Sequence, residues 1–434
     1  MFTKKEIFQY IQGASLLFAL LIAFQIPSYR WILSDIIVGW MLFSILEFKF
    51  KQRFKQNLNN RFLNIMFILQ LILFLFVLSN VFFADDEKNV SKQIMQKLSL
   101  LIFPLLFALS ASKFKERKQL FLKLFAISTV LMSLICISVA LYKSISFLNG
   151  VFTFNPVNEL HRNYFRQSEL SIFHHRGYFS MYIVFALAII FYLNEKQNIF
   201  SSKFKKVLFW LVILFFITMI FLLTSRAGII SLVILLSWQL VHKIFFSKNL
   251  FYKILTFLLI ILMVVVSFMN KRIQTTFNQI VTTEKTNNTN VSGKSPARID
   301  LWKAGFNIVE NNFWIGIGTE KFQENFNNEY KKYSNKKISE IKSHNLNVHN
   351  QFLEEFVLYG IFGFLLLLSL FIYPIFISFK RKNYLFLSFL LITGFNFLFE
   401  SMLNTIAGIV FFTFFLNYFI FVFDDTNEKI KITE

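Results

Sequence analysis

The sequence predicts an all-α polytopic membrane protein of about twelve transmembrane helices with a partly helical outer loop. Three observations lead there. Hydrophobic residues make up 56% of the 434-residue chain, against roughly 45–50% in a soluble domain. The excess is gathered into runs of roughly 15–25 residues, long enough to cross a hydrocarbon core about 30 Å thick as helices. Basic residues concentrate in alternate connections between those runs, the asymmetry that orients membrane proteins.

Apolar spans fall at 11–27, 31–47, 62–84, 98–112, 120–142, 179–193, 206–223, 228–246, 253–269, 353–378, 384–400 and 404–423. The first follows Lys4 and Lys5 in the charge order of a signal sequence. It ends in Gln25-Ile26-Pro27-Ser28 without a small-residue cleavage pattern, so a retained helix is expected. The second span carries Asp35. The fourth is short and holds Pro104, which a membrane helix accepts when neighbours satisfy the freed carbonyl. The fifth contains Cys136, the single cysteine, which excludes an internal disulfide and a cysteine-based metal site. Phe contributes 62 residues, for which bilayer contact is the simplest expectation.

With the N-terminus in the cytoplasm, the inner segments hold Lys49, Lys51, Arg53 and Lys55, then Lys113, Lys115, Arg117 and Lys118, then Lys203, Lys205 and Lys206, then Lys380, Arg381 and Lys382. Of the 45 Lys and Arg, 24 fall inside, 9 in short outer loops and 12 in the long outer segment 270–352. Short loops set orientation and long ones are largely exempt, so both termini are expected inside. The distribution accounts for much of the net charge of +21 without a nucleic-acid partner. The chain therefore divides into helices one to nine over 1–269, with a basic outer loop at 143–178, the long outer loop 270–352, the last three helices over 353–423, and an inner tail, 424–434. No repeat at solenoid periods and no inverted halves of the transporter kind stand out.

Three constellations of reactive side chains fall on the outer side. Thr224-Ser225-Arg226-Ala227-Gly228 joins two spans with almost no loop. An Arg at membrane depth costs several kcal/mol unless paired or wetted. It either snorkels to the interface or contacts an anion beside a turn that Gly228 leaves open. The second constellation runs from Arg298, Asp300 and Trp302 to Gly316-Ile317-Gly318 and Phe322. Ile299, Trp302, Phe306 and Val309 recur at helical spacing, which predicts an amphipathic surface helix ending near Asn311-Asn312. Gly-Ile-Gly is a turn signal and, outside a strand-turn-helix setting, only a weak phosphate-loop signal.

The third reads His344-Asn345, His349-Asn350-Gln351, Glu354-Glu355, Gly360 and Gly363, where the long loop returns to the membrane. Glu354 and Glu355 occupy a first helical turn, where the dipole favours carboxylates. His349 precedes the helix and suits a general base near neutral pH, although an interfacial His is often only hydrogen-bonded. A weaker group, His174-His175-Arg176-Gly177-Tyr178, opens the sixth span, with His161, Arg162 and Arg166 upstream. Asp85-Asp86-Glu87 is an acidic outer patch, most simply a solvated turn.

These patterns resemble the O-antigen ligase/polymerase superfamily of bacterial envelope enzymes. The family's Ser-Arg-Gly-like step is matched by Ser225, Arg226, Ala227 and Gly228. Its Arg, Trp and Gly-x-Gly segment ending in Phe is matched by Arg298, Trp302, Gly316, Gly318 and Phe322. Its His-Asn, Leu and Gly-x-x-Gly are matched by His349, Asn350, Leu353, Gly360 and Gly363, and its His-Tyr helix start is echoed by His175 and Tyr178. Phe313 stands where the family has Pro, and Leu358 and Tyr359 replace an acidic residue before the first terminal Gly. The resemblance covers about 174–363.

The resemblance implies a glycosyltransferase of the inner membrane, of the C-like membrane architecture, with a periplasmic active site. Its donor would be a glycan on undecaprenyl diphosphate. Its acceptor would be a hydroxyl of a glycan, the lipid A core or a protein, with no cofactor and no metal. Arg226 and Arg298, with Arg176 as a third candidate, would hold the diphosphate, and His349 would take the acceptor proton. Asn350, Glu354, His175, Tyr178, Gly316, Gly318 and Trp302 would support them. Two other readings compete. A flippase for the same lipid would need buried mid-span charges, of which only Asp35 is clear. A metal-dependent glycosyltransferase would use Asp85 and Asp86.

Overall fold

A computed structural model describes residues 3–423 except 59, 80–86, 149–150, 198, 247–253, 255–256, 259–260, 262–297 and 334–345. The acidic pair Asp85-Asp86, His344, Asn345, the tail 424–434 and nearly all of the expected span 253–269 lie outside the described residues.

The chain opens with α1 (Lys4–Gln25), started by a capping box in which Thr3 and Glu6 satisfy each other's backbone N–H. It continues through α2 (Leu33–Leu46), α3 (Phe50–Asn57), α4 (Arg61–Ser79), α5 (Glu87–Lys97), α6 (Ser99–Phe114) and α7 (Lys118–Ser144). An antiparallel hairpin follows, β1 (Ile145–Leu148) paired with β2 (Val151–Phe154). Then come the single turn α8 (Gln167–Leu170), α9 (Arg176–Gln197), α10 (Lys203–Leu223) and α11 (Arg226–Phe246). The segment 270–352 contributes α12 (Arg298–Asn311) and α13 (Phe322–Lys331). The chain closes with α14 (Gln351–Lys380), α15 (Tyr384–Phe397) and α16 (Ile406–Phe421).

The protein is thus largely helical and multi-pass. Among the described residues, six stretches are long and apolar enough to cross a bilayer: Lys5–Gln25, Arg61–Ser79, Gln93–Ser144, Arg176–Gln197, Lys203–Leu223 and Gln351–Lys380. The third, at 52 residues, includes both α6 and α7. Leu33–Leu46, Arg226–Gln239, Tyr384–Phe397 and Ile406–Phe421 are shorter apolar helices. Pro104 sits buried inside an unbroken α6. The hairpin departs from a purely helical chain; β-branched and aromatic residues flanking Asn149-Gly150 explain it.

Much of the Phe content is core, not lipid contact. α9 is buried nearly all round, between α7, α10, α11 and α15, and α16 is buried along its length. Ring pairs such as Phe125–Phe415 and Phe185–Phe415, both at 4.9 Å, fill the interior. Polar ties cross this apolar mass in satisfied pairs. Gln70 and Asn417 exchange amide hydrogen bonds of 3.1 and 2.8 Å between α4 and α16. Asn396 on α15 donates to Ser231 on α11 at 2.9 Å.

Two separate clusters of charged side chains lie in the bundle. At one end Glu47 is buried against Arg53 at 3.2 Å and against Lys113. Arg53 also donates to the carbonyls of Ser44 at 2.9 Å and Leu109 at 2.8 Å, satisfying helix C-terminal acceptors. The other end gathers the starts of α9, α11, α12 and α14 and the turn after α15. There the Tyr182 hydroxyl donates to the Ala407 carbonyl at 2.7 Å.

α14 is broken at Gly360, whose φ of +64 and ψ of −160 leave the helical region. The loop after α12 fills the break. Ile317 N–H donates to the Val357 carbonyl at 2.9 Å and Gly318 N–H to the Leu358 carbonyl at 3.0 Å. Ile361 N–H donates in return to the Phe313 carbonyl at 2.9 Å. Gly316 and Gly360 touch backbone to backbone: a Cβ on Gly316 would lie 2.6 Å from Gly360 N, and one on Gly360 would collide with the Trp314 carbonyl. The Gly-Ile-Gly segment therefore serves a helix break, not a phosphate. Gly360→Ala would cost about 2 kcal/mol or more, from positive φ and collision together. A drop in thermal unfolding temperature in detergent, larger than that of Gly394→Ala in ordinary helical conformation, is the expected result.

Candidate active site

The site is built around the start of α14. Asn350, in extended conformation, caps the helix by accepting from Leu353 N–H at 3.1 Å. The residue before it, His349, adopts φ +50, and its N–H donates to Asn347 Oδ1 at 3.1 Å. Its imidazole leaves the helix sideways and meets Glu400, three residues past the end of α15. His349 Nδ1–H donates to Glu400 Oε2 at 3.0 Å, since a carboxylate oxygen can only accept. The other oxygen, Oε1, accepts from Arg298 Nη2 at 2.8 Å. One carboxylate thus holds the first residue of α12 and the residue before the cap of α14.

Glu400 is itself held by α14. Glu354 is buried and accepts from Ser401 Oγ and Asn404 Nδ2. Gln351 accepts from Leu403 N–H at 2.6 Å and donates to Glu355 at 2.9 Å. Lys97 at the end of α5 neutralises Glu355 at 2.8 Å and lies 5.2 Å above the Tyr359 ring. The first-turn carboxylates therefore do more than complement the helix dipole: they clamp segment 401–404. Phe399 lies between the Arg298 guanidinium, 5.8 Å from its centroid, and the Trp302 ring at 6.2 Å.

The start of α9 closes the site from another side. A Cβ on Gly177 would lie 3.3 Å from His175 Nδ1 and 3.9 Å from Glu400 Cγ. Tyr178 is buried, hydrogen-bonded to Thr405 and edge-on to the His175 ring at 6.1 Å. Arg176 donates to Gln167 at 3.0 Å. Arg226 is half-buried at the start of α11, where Ser225 Oγ accepts from Gly228 N–H at 3.2 Å. Gly228 packs so closely on Ser180 of α9 that any Cβ there would collide with the Ser180 hydroxyl.

Electrostatics follow from this crowding. Burial works against an ionised Glu400, yet the hydrogen bond from His349 and the charges of His349 and Arg298 hold its carboxyl below the usual range. His175 is pushed down by desolvation; Glu400 opposes the shift, and Arg176, His349 and Arg298 add to it. Both groups bind more protons in the unfolded chain. Their contribution to stability is complete above the unfolded values and is lost as pH falls through the folded ones.

The structure brings Arg298, His349 and His175 together at Glu400 and places Arg176, Tyr178 and Arg226 on flanking helices at the same end. Asn350 is a cap, Glu354 holds the 401–404 turn, and Gly316 and Gly318 serve the break in α14. On α12 the buried face is Leu301, Ala304, Gly305, Ile308 and Val309. Of the expected apolar stripe only Val309 belongs to that face; Ile299 and Phe306 are exposed and Trp302 is half-buried. Sequence reasoning missed Glu400, Gln351 and Lys97. The available signal was a lone acid closing an apolar run. Among the described residues, no group of three or more His, Cys, Asp or Glu is arranged to hold a metal ion.

Residues 210–368 match the O-antigen ligase family model. No curated protein matches the chain. The matched region contains Arg226, Arg298 and His349 and ends before Glu400. The chain therefore carries an O-antigen ligase domain over these residues, which supports a membrane enzyme of the ligase/polymerase type that transfers glycans.

Proposed function

We propose that the chain moves a glycan from undecaprenyl diphosphate to an acceptor hydroxyl on the periplasmic side, with His349 as general base and Arg298 and Arg226 on the donor diphosphate. Twelve spans with both termini in the cytoplasm complete this reading, supported by the basic connections that share the opposite end of the bundle from His349. The shared carboxylate of Glu400 is the observation that carries it. With Nδ1–H committed to Glu400, the lone pair of His349 is on Nε2, and the ring is half-exposed.

In the step, the acceptor oxygen forms a bond to the anomeric carbon as its proton passes to Nε2. The bond from that carbon to the diphosphate breaks, and the diphosphate leaves with the electron pair. Glu400 stabilises the imidazolium that results. Arg298 gives one Nη to Glu400 and keeps its remaining donors for a phosphate oxygen, as a planar fork allows. Arg226 and Arg176 approach from α11 and α9. Arg176 and the partly exposed His175 line the side on which the donor headgroup would lie. The acceptor classes named by the resemblance, glycan, lipid A core and protein, all present the same hydroxyl to His349.

Arg226→Ala, Arg298→Ala and His349→Ala should each lower transfer by about 100-fold or more, as removal of a group acting on developing charge does, with membrane insertion intact. The measurement is glycan transfer by purified protein in liposomes, supplied with lipid-linked donor and acceptor. Full activity in all three variants would end the assignment. Glu400→Gln should retain the fold and lower kcat more than KM is changed, because the imidazole loses the carboxylate that orients it. An unchanged kcat would remove Glu400 from the base.

A further inference from the structure

We infer that the β1–β2 hairpin is an interfacial anchor whose apolar face lies in the outer leaflet of the bilayer. The hairpin grows directly out of α7: Ile145 is both the cap of the helix and the first residue of β1. Cross-strand register pairs Ile145 with Phe154 and Phe147 with Phe152, so these four side chains share one face. All four are exposed, Phe147 at 73% and Phe152 at 62%. The opposite face carries Ser146 and Thr153, whose hydroxyls hydrogen-bond at 2.6 Å. Val151, exposed near the turn, lies on this second face with Thr153.

The occupant is fixed by continuity. Along α7 the exposed residues Ile127, Leu131, Leu134, Ile135, Leu141 and Tyr142 fall on one face. In a membrane-crossing helix that face meets lipid. Ile145 lies eighteen positions after Ile127, five full turns at 3.6 residues per turn. The lipid-facing stripe therefore runs straight into the hairpin face. Residues 145–154 contain no charged side chain. Aromatic residues with polar hydroxyls on the reverse are the composition of the bilayer interface. The same loop continues into His174, His175 and Arg176. An anchored hairpin sets the depth of that loop at the leaflet surface, independently of what the site transfers.

The test uses the full chain with Cys136, which is buried, left in place. Phe147→Cys and Phe152→Cys probe the apolar face, Ser146→Cys and Thr153→Cys the hydroxyl face, each labelled with the fluorophore NBD in single-copy nanodiscs. Lipids carrying a nitroxide high on the acyl chain should quench positions 147 and 152 at least about twofold more than 146 and 153, as interfacial burial requires. Aqueous iodide should show the reverse order. Equal access of iodide to all four positions would overturn the proposal. So would protection of 147 and 152 seen only in discs holding two copies, which would make the face a contact between chains.

Discussion

The site depends on one carboxylate being shared. Glu400 accepts from Arg298 and from His349, which reach it from opposite ends of a long outer segment. The carboxylate answers the guanidinium of Arg298 and would answer the imidazolium that His349 becomes when it takes a proton. Each is oriented by its hydrogen bond to Glu400, and Arg298 keeps donors and His349 a lone pair free. A half-buried ion pair of this kind is poor evidence for stability. Its value is geometric: it turns two outer residues and the turn after α15 into one rigid cluster.

That cluster is supported from below by polar groups that would otherwise be expensive. Glu354 and Glu355 are both buried in the first turn of α14. Each is answered: Glu354 by Ser401 and Asn404, Glu355 by Lys97 and Gln351. The break at Gly360 follows the same rule. Carbonyls released by the helix at Val357 and Leu358 are taken up by Ile317 and Gly318. Irregular backbone beside a membrane is tolerated where protein satisfies it. Gly316-Ile317-Gly318 and Gly360 are thus halves of one joint, and the joint ties α12 to α14, whose cap follows His349.

The sequence made the helical, membrane-crossing character legible because hydrophobic runs report burial or lipid contact directly. It made Arg298 and His349 legible because their residue types and order are unusual beside apolar spans. It did not show Glu400, since a single acid at the end of an apolar run looks like an interfacial boundary until the fold brings it beside His349. Nor did it separate core Phe from lipid-facing Phe: Phe415 and Phe376 read alike, yet one is buried and the other exposed. The stripe expected on α12 is not its packed face, since Ile299 and Phe306 are exposed. That helix is apolar on two faces, and only packing against Val348 and Leu353 around Gly305 decides which is inward.

The two ends of the bundle use charge for different purposes. At the basic end, Arg53 and Lys113 surround Glu47 and leave no role for it beyond closing helix termini. The cations there are mostly exposed. At the opposite end three arginines stand at helix starts: Arg176, Arg226 and Arg298 each begin a helix. A helix start already favours an anion through its unsatisfied N–H groups. An arginine there adds directed donors to the same field, and Glu400 fixes one of them, Arg298, beside His349.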